Sequence, residues 1–269
     1  RHGAFTVIDS TNIRTEELRR YKKLCEEYRY RGYCVDFTQV PLEEAKRRNL
    51  SREPLKRVTE QVIERMYRSL PGQKIPSGIV VIRPEELERV WLKKIDLSGY
   101  RRIHHIGDLH GCYTVLQEYL NGQGGMKEDE FYIFLGDYID RGIENAEVIR
   151  FLISIAERKN VLLLEGNHEK SLWDWADGGE GRSKEFRLHT RRVLEKAKID
   201  PKEVRCLYRK FGQCAYYSYG DRDFLVTHGG VSILPENLTL VATEQMTGGT
   251  GEYADADRTA ETFEKTAPA

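Results

Sequence analysis

The sequence predicts an α/β fold built in two parts. Three observations carry this. Short apolar runs, rich in β-branched and aromatic residues, alternate with segments whose apolar residues recur every three or four positions. Four of those runs, between residues 103 and 227, each end in a polar motif. The 39% hydrophobic content is enough for a core, and 269 residues allow one large domain or two modest ones.

Composition narrows the function classes. Lys+Arg equals Asp+Glu at 43 each, so no net basic bias advertises nucleic acid, and only local patches remain. No apolar run approaches the roughly 20 residues of a membrane span. The sequence opens on Arg1, without a Met or a signal peptide. Cys25, Cys34, Cys112, Cys206 and Cys214 are scattered and lack close CxxC pairs. That pattern reads as reduced thiols in a cytoplasmic protein, with neither a disulfide frame nor a zinc knuckle.

Ala4-Phe5-Thr6-Val7-Ile8 reads as a strand, broken by Asp9-Ser10-Thr11-Asn12. Thr15 is placed to cap a helix, with Glu16 and Glu17 favouring the positive end of its dipole. Leu18, Tyr21, Leu24, Cys25 and Tyr28 follow at helical spacing. Tyr33 to Phe37 reads as a second strand and Leu42 to Arg48 as a short basic helix. A longer helix is expected from about Pro54 to Leu70, with Val58, Val62, Ile63, Met66 and Tyr67 on one face. Pro71-Gly72 ends it. Ile79 to Ile82 reads as a strand, and a helix carrying Leu87, Val90, Trp91 and Ile95 is expected next. The basic positions Arg47, Arg48, Arg52, Lys56 and Arg57 read as a solvated helix face or, alternatively, as a phosphate clamp.

Val7 to Asn12, Arg48-Asn49 with Arg52, and Val62 to Tyr67 together resemble the C-terminal half of a phage-type polynucleotide 5′-kinase. The resemblance places Asp9 in the acceptor site and Arg48 and Arg52 in a lid over the ATP phosphates. The P-loop pattern G-x-x-x-x-G-K-[ST] occurs nowhere in the 269 residues. ATP and magnesium are therefore expected only for a kinase domain completed by a P-loop upstream. The organisation expected is a partial polynucleotide-kinase-like segment over 1–75, a linker region over 76–100 and a second domain over 101–269.

In that second domain Ile103 to Ile106 leads into Gly107-Asp108-Leu109-His110-Gly111, and Phe131 to Leu135 into Gly136-Asp137-Tyr138-Ile139-Asp140-Arg141. Val161 to Leu164 leads into Gly166-Asn167-His168-Glu169, and Phe224 to Thr227 into His228-Gly229-Gly230. A carboxylate where a buried strand ends is held rigidly and still meets solvent. Asp108 and His110 suit one metal ion, Asn167 and His228 a second, and Asp137 can join both. Mixed carboxylate, imidazole and amide donors suit borderline ions. Two such ions roughly 3.5–4 Å apart can activate water and hold a phosphoryl oxygen. His168 is placed to protonate a leaving oxygen, Asp140 to fix its tautomer, and Arg141 to bind phosphate through its forked donors.

The four motifs in this order resemble the calcineurin-like metallophosphoesterases, especially the branch shared with protein serine/threonine phosphatases and diadenosine tetraphosphatases. The resemblance implies two central sheets flanked by helices. It makes Asp108, His110, Asp137, Asn167 and His228 metal ligands, His168 the acid and Arg141 a phosphate binder. It implies two divalent cations, manganese first, with nickel, iron, zinc or cobalt as alternatives. The family has one further metal-binding histidine after the His-Gly-Gly motif, and no histidine follows His228. His189 is the remaining unassigned candidate and reads as a surface residue on a basic helix. The charged stretch from Glu180 to Arg192 reads as a solvated face or as a substrate-binding flank.

Taken together the two halves resemble the bacterial and phage polynucleotide kinase-phosphatases, which heal broken nucleic-acid ends. The expected activity is removal of 2′, 3′ or cyclic phosphates from RNA or DNA ends, with a nucleic-acid ligase as the partner that follows. The alternatives are a protein serine/threonine phosphatase or dinucleoside-polyphosphate hydrolase using the same site, and a non-catalytic scaffold whose metal site is incomplete.

Overall fold

A computed structural model describes residues 5–28, 30–231, 238–249, 257, 260, 261, 264 and 265. The chain forms two compact units, one running to Leu92 and one from Lys93.

In the first unit helix α1 spans Thr15–Tyr28, strand β1 Gly32–Val35, helix α2 Leu42–Leu50, helix α3 Glu60–Ser69 and strand β2 Ile79–Ile82. The two strands pair in parallel, Gly32 beside Ile79. Residues 76–92 are therefore more than a linker, because β2 belongs to the first unit's sheet. The strand expected over residues 4–8 does not form in the described part, 5–8, and Ala4 lies outside the described residues. A strand needs a ladder partner, and Val7 is 75% exposed. The helix expected from Pro54 starts later. Buried Asn49 explains this: its side chain accepts a hydrogen bond from the Val58 amide at 3.0 Å and donates to the Val58 carbonyl at 2.8 Å, committing both backbone groups of that residue outside a helix. Thr15 does not cap α1; its hydroxyl accepts from the Lys74 amide at 3.0 Å. The helix expected around Leu87 to Ile95 is a 3₁₀ segment, Pro84–Val90.

Among the described residues the second unit holds two sheets. Strands β3 (Ile95–Asp96), β4 (Arg102–Ile106), β5 (Glu130–Phe134) and β6 (Val161–Leu163) come first, with helices α4 (Tyr113–Gly122), α5 (Asn145–Ile155) and α6 (Glu169–Ala176) following β4, β5 and β6. Helices α7 (Arg191–Lys196) and α8 (Pro201–Tyr208), strands β7 (Cys214–Tyr219) and β8 (Arg222–Thr227), and helix α9 (Thr243–Gly248) follow. One sheet is parallel, β4-β5-β6; the other runs β3-β7-β8, with β7 and β8 antiparallel.

Strand β5 shows why the layers form. All five of its residues are buried. Successive side chains point to opposite faces. Phe131 and Ile133 pack with Leu97, Ala215 and Tyr217 in a core between the two sheets. Tyr132 and Phe134 pack into the helical layer with Leu116, Ile149, Leu152 and Tyr208. Each fully buried aliphatic side chain contributes about 1.5–3 kcal/mol relative to exposure. A central parallel strand covered on both faces reads as a continuous apolar run, which is how residues 131–135 look in the sequence.

Candidate metal centre

Parallel strands present their C-terminal ends on one edge of a sheet, and ligands gather there. The loop after β4 carries Asp108 and His110. The loop after β5 carries Asp137, Asp140 and Arg141, and the loop after β6 carries Asn167 and His168. Strand β8 ends at Thr227, just before His228. Backbone hydrogen bonds fasten these loops together. The Asp137 carbonyl accepts from the Leu109 and His110 amides at 3.1 and 2.9 Å, and the His110 carbonyl accepts from the Gly142 amide at 2.8 Å.

The price of this convergence is backbone strain. His110, Asp137, Asp140 and Arg141 all have positive φ, at 41°, 50°, 72° and 64°. Residues with a Cβ rarely adopt that region, and such conformations collect at functional sites. Gly142 and Gly166 allow the close approaches. A Cβ on Gly142 would meet the His110 carbonyl oxygen, and one on Gly166 would meet the Asp137 carboxylate and amide.

Asp137 is the centre of the cluster and is 4% exposed. Its Oδ1 lies 3.4 Å from His228 Nε2. Its Oδ2 lies 3.7 Å from His110 Nε2 and 3.9 Å from His168 Nε2. Asp108 Oδ2 is 3.7 Å from His110 Nε2, and Asn167 Oδ1 is 3.2 Å from His228 Nε2. One carboxylate oxygen therefore faces His228 and the other faces His110. Burial pushes the Asp137 carboxyl up, but His228 and the His168 amide outweigh it and hold it below its usual range.

The imidazoles are oriented by second partners. His110 Nδ1 lies 3.0 Å from the Ile139 carbonyl, and His228 Nδ1 lies 3.0 Å from the Leu135 carbonyl. A carbonyl only accepts, so each ring carries its proton on Nδ1 and turns Nε2 toward the cluster. His168 Nδ1 lies 2.7 Å from Asp140 Oδ2. That hydrogen bond raises the His168 pKa against the opposing effect of burial, and the Asp137 charge adds to it.

A family model for calcineurin-like phosphoesterases matches residues 101–259, more than half of the chain. The chain belongs to the calcineurin-like phosphoesterase family. It is 46% identical over 77 residues to a serine/threonine-protein phosphatase of Caenorhabditis elegans, which covers 28% of this chain and 16% of that protein. It is 32% identical over 113 residues to the PP2A-like serine/threonine-protein phosphatase PPG1 of Saccharomyces cerevisiae, covering 41% and 30%. It is 28% identical over 137 residues to the asymmetrical bis(5′-nucleosyl)-tetraphosphatase PrpE of Halalkalibacterium halodurans, covering 47% and 56%. The chain thus spans between 16% and 56% of the length of these relatives.

Calcineurin-like phosphoesterases use divalent metal ions, and the donor set here fits them. His110 Nε2 is buried and has no hydrogen-bond partner, an orphaned lone pair that a cation would satisfy. Donor atoms of His110, Asp137 and His168 lie within 4.8 Å of one another. Asp108 and Asn167 are exposed, so the centre opens to solvent. Of the five side chains the sequence nominates for metal, His110 and Asp137 belong to this group; its third member, His168, is the one nominated as the acid. Among the described residues no further histidine joins the cluster; His189 is exposed.

In the first unit Arg48 Nε pairs with Glu44 at 2.7 Å, while Arg52 and Asp9 are exposed. Arg141 is exposed beside the centre.

Three contributors were not singled out from sequence. Glu169, fully buried, accepts from the amides of Asp137, Tyr138 and Gly166 at 2.9, 2.9 and 2.8 Å, clipping the β5 and β6 loops together. Burial pushes its carboxyl up to about 7. Thr190 donates its hydroxyl to Asp140 Oδ1, and Glu185 accepts from the Arg141 amide at 2.6 Å. The signal for Glu169 was its place directly after Asn167-His168; nothing local marks the other two. Among the described residues no helix is long and apolar enough to cross a membrane.

Proposed function

We propose that this chain is a metal-dependent phosphomonoesterase acting on phosphate groups presented by a macromolecule. The observation that carries the reading is the convergence of His110, His228, Asn167 and Asp108 around the two oxygens of Asp137, with the His168–Asp140 pair beside them. Divalent cations held there would supply charge neutralisation at the phosphoryl group and a water of lowered pKa. Asp137, buried and with its pKa held down, would be among the ligands, with His110, His228, Asn167 and Asp108. His168, whose pKa the Asp140 hydrogen bond raises, would donate from Nε2 to the departing oxygen as the phosphorus–oxygen bond breaks. Arg141, exposed at the mouth, would bind the phosphate oxygens.

The open mouth supports a macromolecular substrate, because small-molecule sites usually bury most of their ligand in a concave pocket. Within that class the relatives favour a phosphoserine or phosphothreonine side chain, since two of the three are serine/threonine phosphatases. The tetraphosphatase relative makes a dinucleotide the small-molecule competitor. A second reading, a phosphorylated nucleic-acid end, is favoured by the kinase-like pattern of Asp9, Arg48 and Arg52 in the first unit.

The test is a phosphate-release assay with manganese on a phosphothreonine peptide, a 3′-phosphorylated oligonucleotide and diadenosine tetraphosphate, with Asp137→Asn as control. Release from the peptide or the oligonucleotide, abolished in the control, is the expected result and separates the two readings. Turnover of diadenosine tetraphosphate alone, or of none of the three, would overturn the proposal.

A further inference from the structure

The stretch between α6 and α7 reads from its charges as a solvated flank, yet it carries two contacts onto the dipeptide Asp140-Arg141. Thr190, 1% exposed, donates its hydroxyl to Oδ1 of Asp140, which is 0% exposed. The other oxygen, Oδ2, is the one 2.7 Å from His168 Nδ1. Both oxygens are therefore engaged, and the carboxylate cannot turn without breaking a hydrogen bond in a buried place. Five residues earlier, Glu185 Oε1 accepts from the Arg141 amide at 2.6 Å. These contacts fall on two residues whose φ angles, 72° and 64°, the local chain does not favour. A conformation of that kind persists only where its surroundings over-determine it.

The element that carries Thr190, with Glu185 at its N-cap, is itself unusual. Phe186–Thr190 forms a π-helical turn, a wide turn that is rare and concentrates at functional sites. It is anchored by Phe186, 0% exposed, which packs near Trp175 with ring centroids 6.4 Å apart. The segment also closes on itself, the Arg187 guanidinium donating to the Gly181 and Arg182 carbonyls at 3.1 and 2.8 Å.

We propose that residues 185–190 are a positioning clamp. Thr190 orients Asp140 and, through it, His168; Glu185 holds the Arg141 backbone in the pose that presents its guanidinium to phosphate. The clamp deepens the phosphatase reading above and rests on it.

The experiment uses the full chain with manganese, and phenyl phosphate and p-nitrophenyl phosphate as probes. The phenolate is the poorer leaving group and depends more on proton donation, so a fault in the acid shows there first. Thr190→Val should lower kcat on phenyl phosphate about tenfold or more, and on p-nitrophenyl phosphate only about two- to threefold, a fraction of what general acid catalysis contributes. Thr190→Ser keeps the hydroxyl and should restore kcat on both to within about twofold of the parent. Glu185→Ala should instead raise KM and weaken inhibition by inorganic phosphate about tenfold, the size expected for a lost charge-assisted contact. Equal losses on both esters, or a serine variant as impaired as the valine one, would overturn the clamp. If circular dichroism shows that the valine variant does not fold, the contrast between Thr190→Ala and Thr190→Ser decides the same point. A parent chain inactive on both esters would sink the phosphatase reading itself, which is a different failure.

Discussion

His228 Nε2 lies 3.2 Å from Asn167 Oδ1, and while the imidazole is neutral neither atom has a proton for the other. The ring proton is on Nδ1, committed to the Leu135 carbonyl. Asp137 Oδ1, 3.4 Å from the same nitrogen, adds a third electron-rich atom. Only a second proton on the ring or a cation satisfies the group. In the metal-free chain Asp137 and Asp108 raise the His228 pKa despite its burial. A cation must therefore displace a proton that persists to higher pH than usual. Binding should release protons, and affinity should weaken as pH falls through and below neutrality. Equilibrium dialysis with manganese and elemental analysis should find about two ions per chain. His228→Ala and Asn167→Ala should each bring that close to one while His110 and Asp108 retain theirs.

The His168–Asp140 pair separates chemistry from binding. His168→Ala should lower kcat about 10²- to 10⁴-fold, the usual contribution of a positioned general acid. KM should move little, since phosphate is held by other groups. Asp140→Asn keeps one acceptor for the two donors Thr190 and His168 and removes the charge beside the imidazole, but leaves the imidazole itself, so its loss should be smaller. Steady-state kinetics on one ester reads both.

Gly166 tests how tightly the loops are packed. A Cβ there would overlap the Asp137 carboxylate and amide and stand 2.8 Å from Glu169 Oε2. No flexible side chain tip can give way, because Asp137 and Glu169 are both buried. Gly166→Ala should weaken metal affinity about 10- to 100-fold, as displacement of a ligand's support does. Its thermal midpoint should fall as well, and added manganese should raise that midpoint less than in the parent.

The reach of the sequence differs between the centre and its supports. Asp108, His110, Asp137, Asn167 and His228 each follow an apolar run, and residue type plus position at a strand end is local information. The strand after which His228 stands was expected over Phe224 to Thr227 and runs Arg222–Thr227. Glu185 and Thr190 were invisible because their partners lie 44 and 50 residues away. Their own neighbourhood, crowded with charges, reads as solvated. In the first unit the failures have the same cause. Nothing near Val58 announces that Asn49 will bond both its backbone groups and delay α3, and nothing near Val7 reveals that no strand of the described residues pairs with it.

At the other end of β4 and β5 lies a buried network that the metal centre does not touch. Glu130, 0% exposed, takes His104 Nε2 at 2.9 Å and the Tyr132 hydroxyl at 3.1 Å on one oxygen and the Arg101 guanidinium on the other. Burial alone would push its carboxyl up; His104, Tyr132 and the nearby cations outweigh it, and the pKa is lowered. A carboxylate depressed on folding stabilises the native state above its unfolded pKa and loses that contribution as pH falls through the folded value. Stability of the parent should therefore decline as the solution is acidified below the ordinary carboxylate range, and Glu130→Ala should flatten that decline. At neutral pH the same substitution leaves the Tyr132 hydroxyl and one His104 nitrogen without their buried acceptor. It should cost about 1–3 kcal/mol, the usual penalty for leaving buried hydrogen-bonding groups without their partner. Urea titrations at neutral and acidic pH check both statements. A shift of the same size at both values would mean that Glu130 acts through packing and not through its charge.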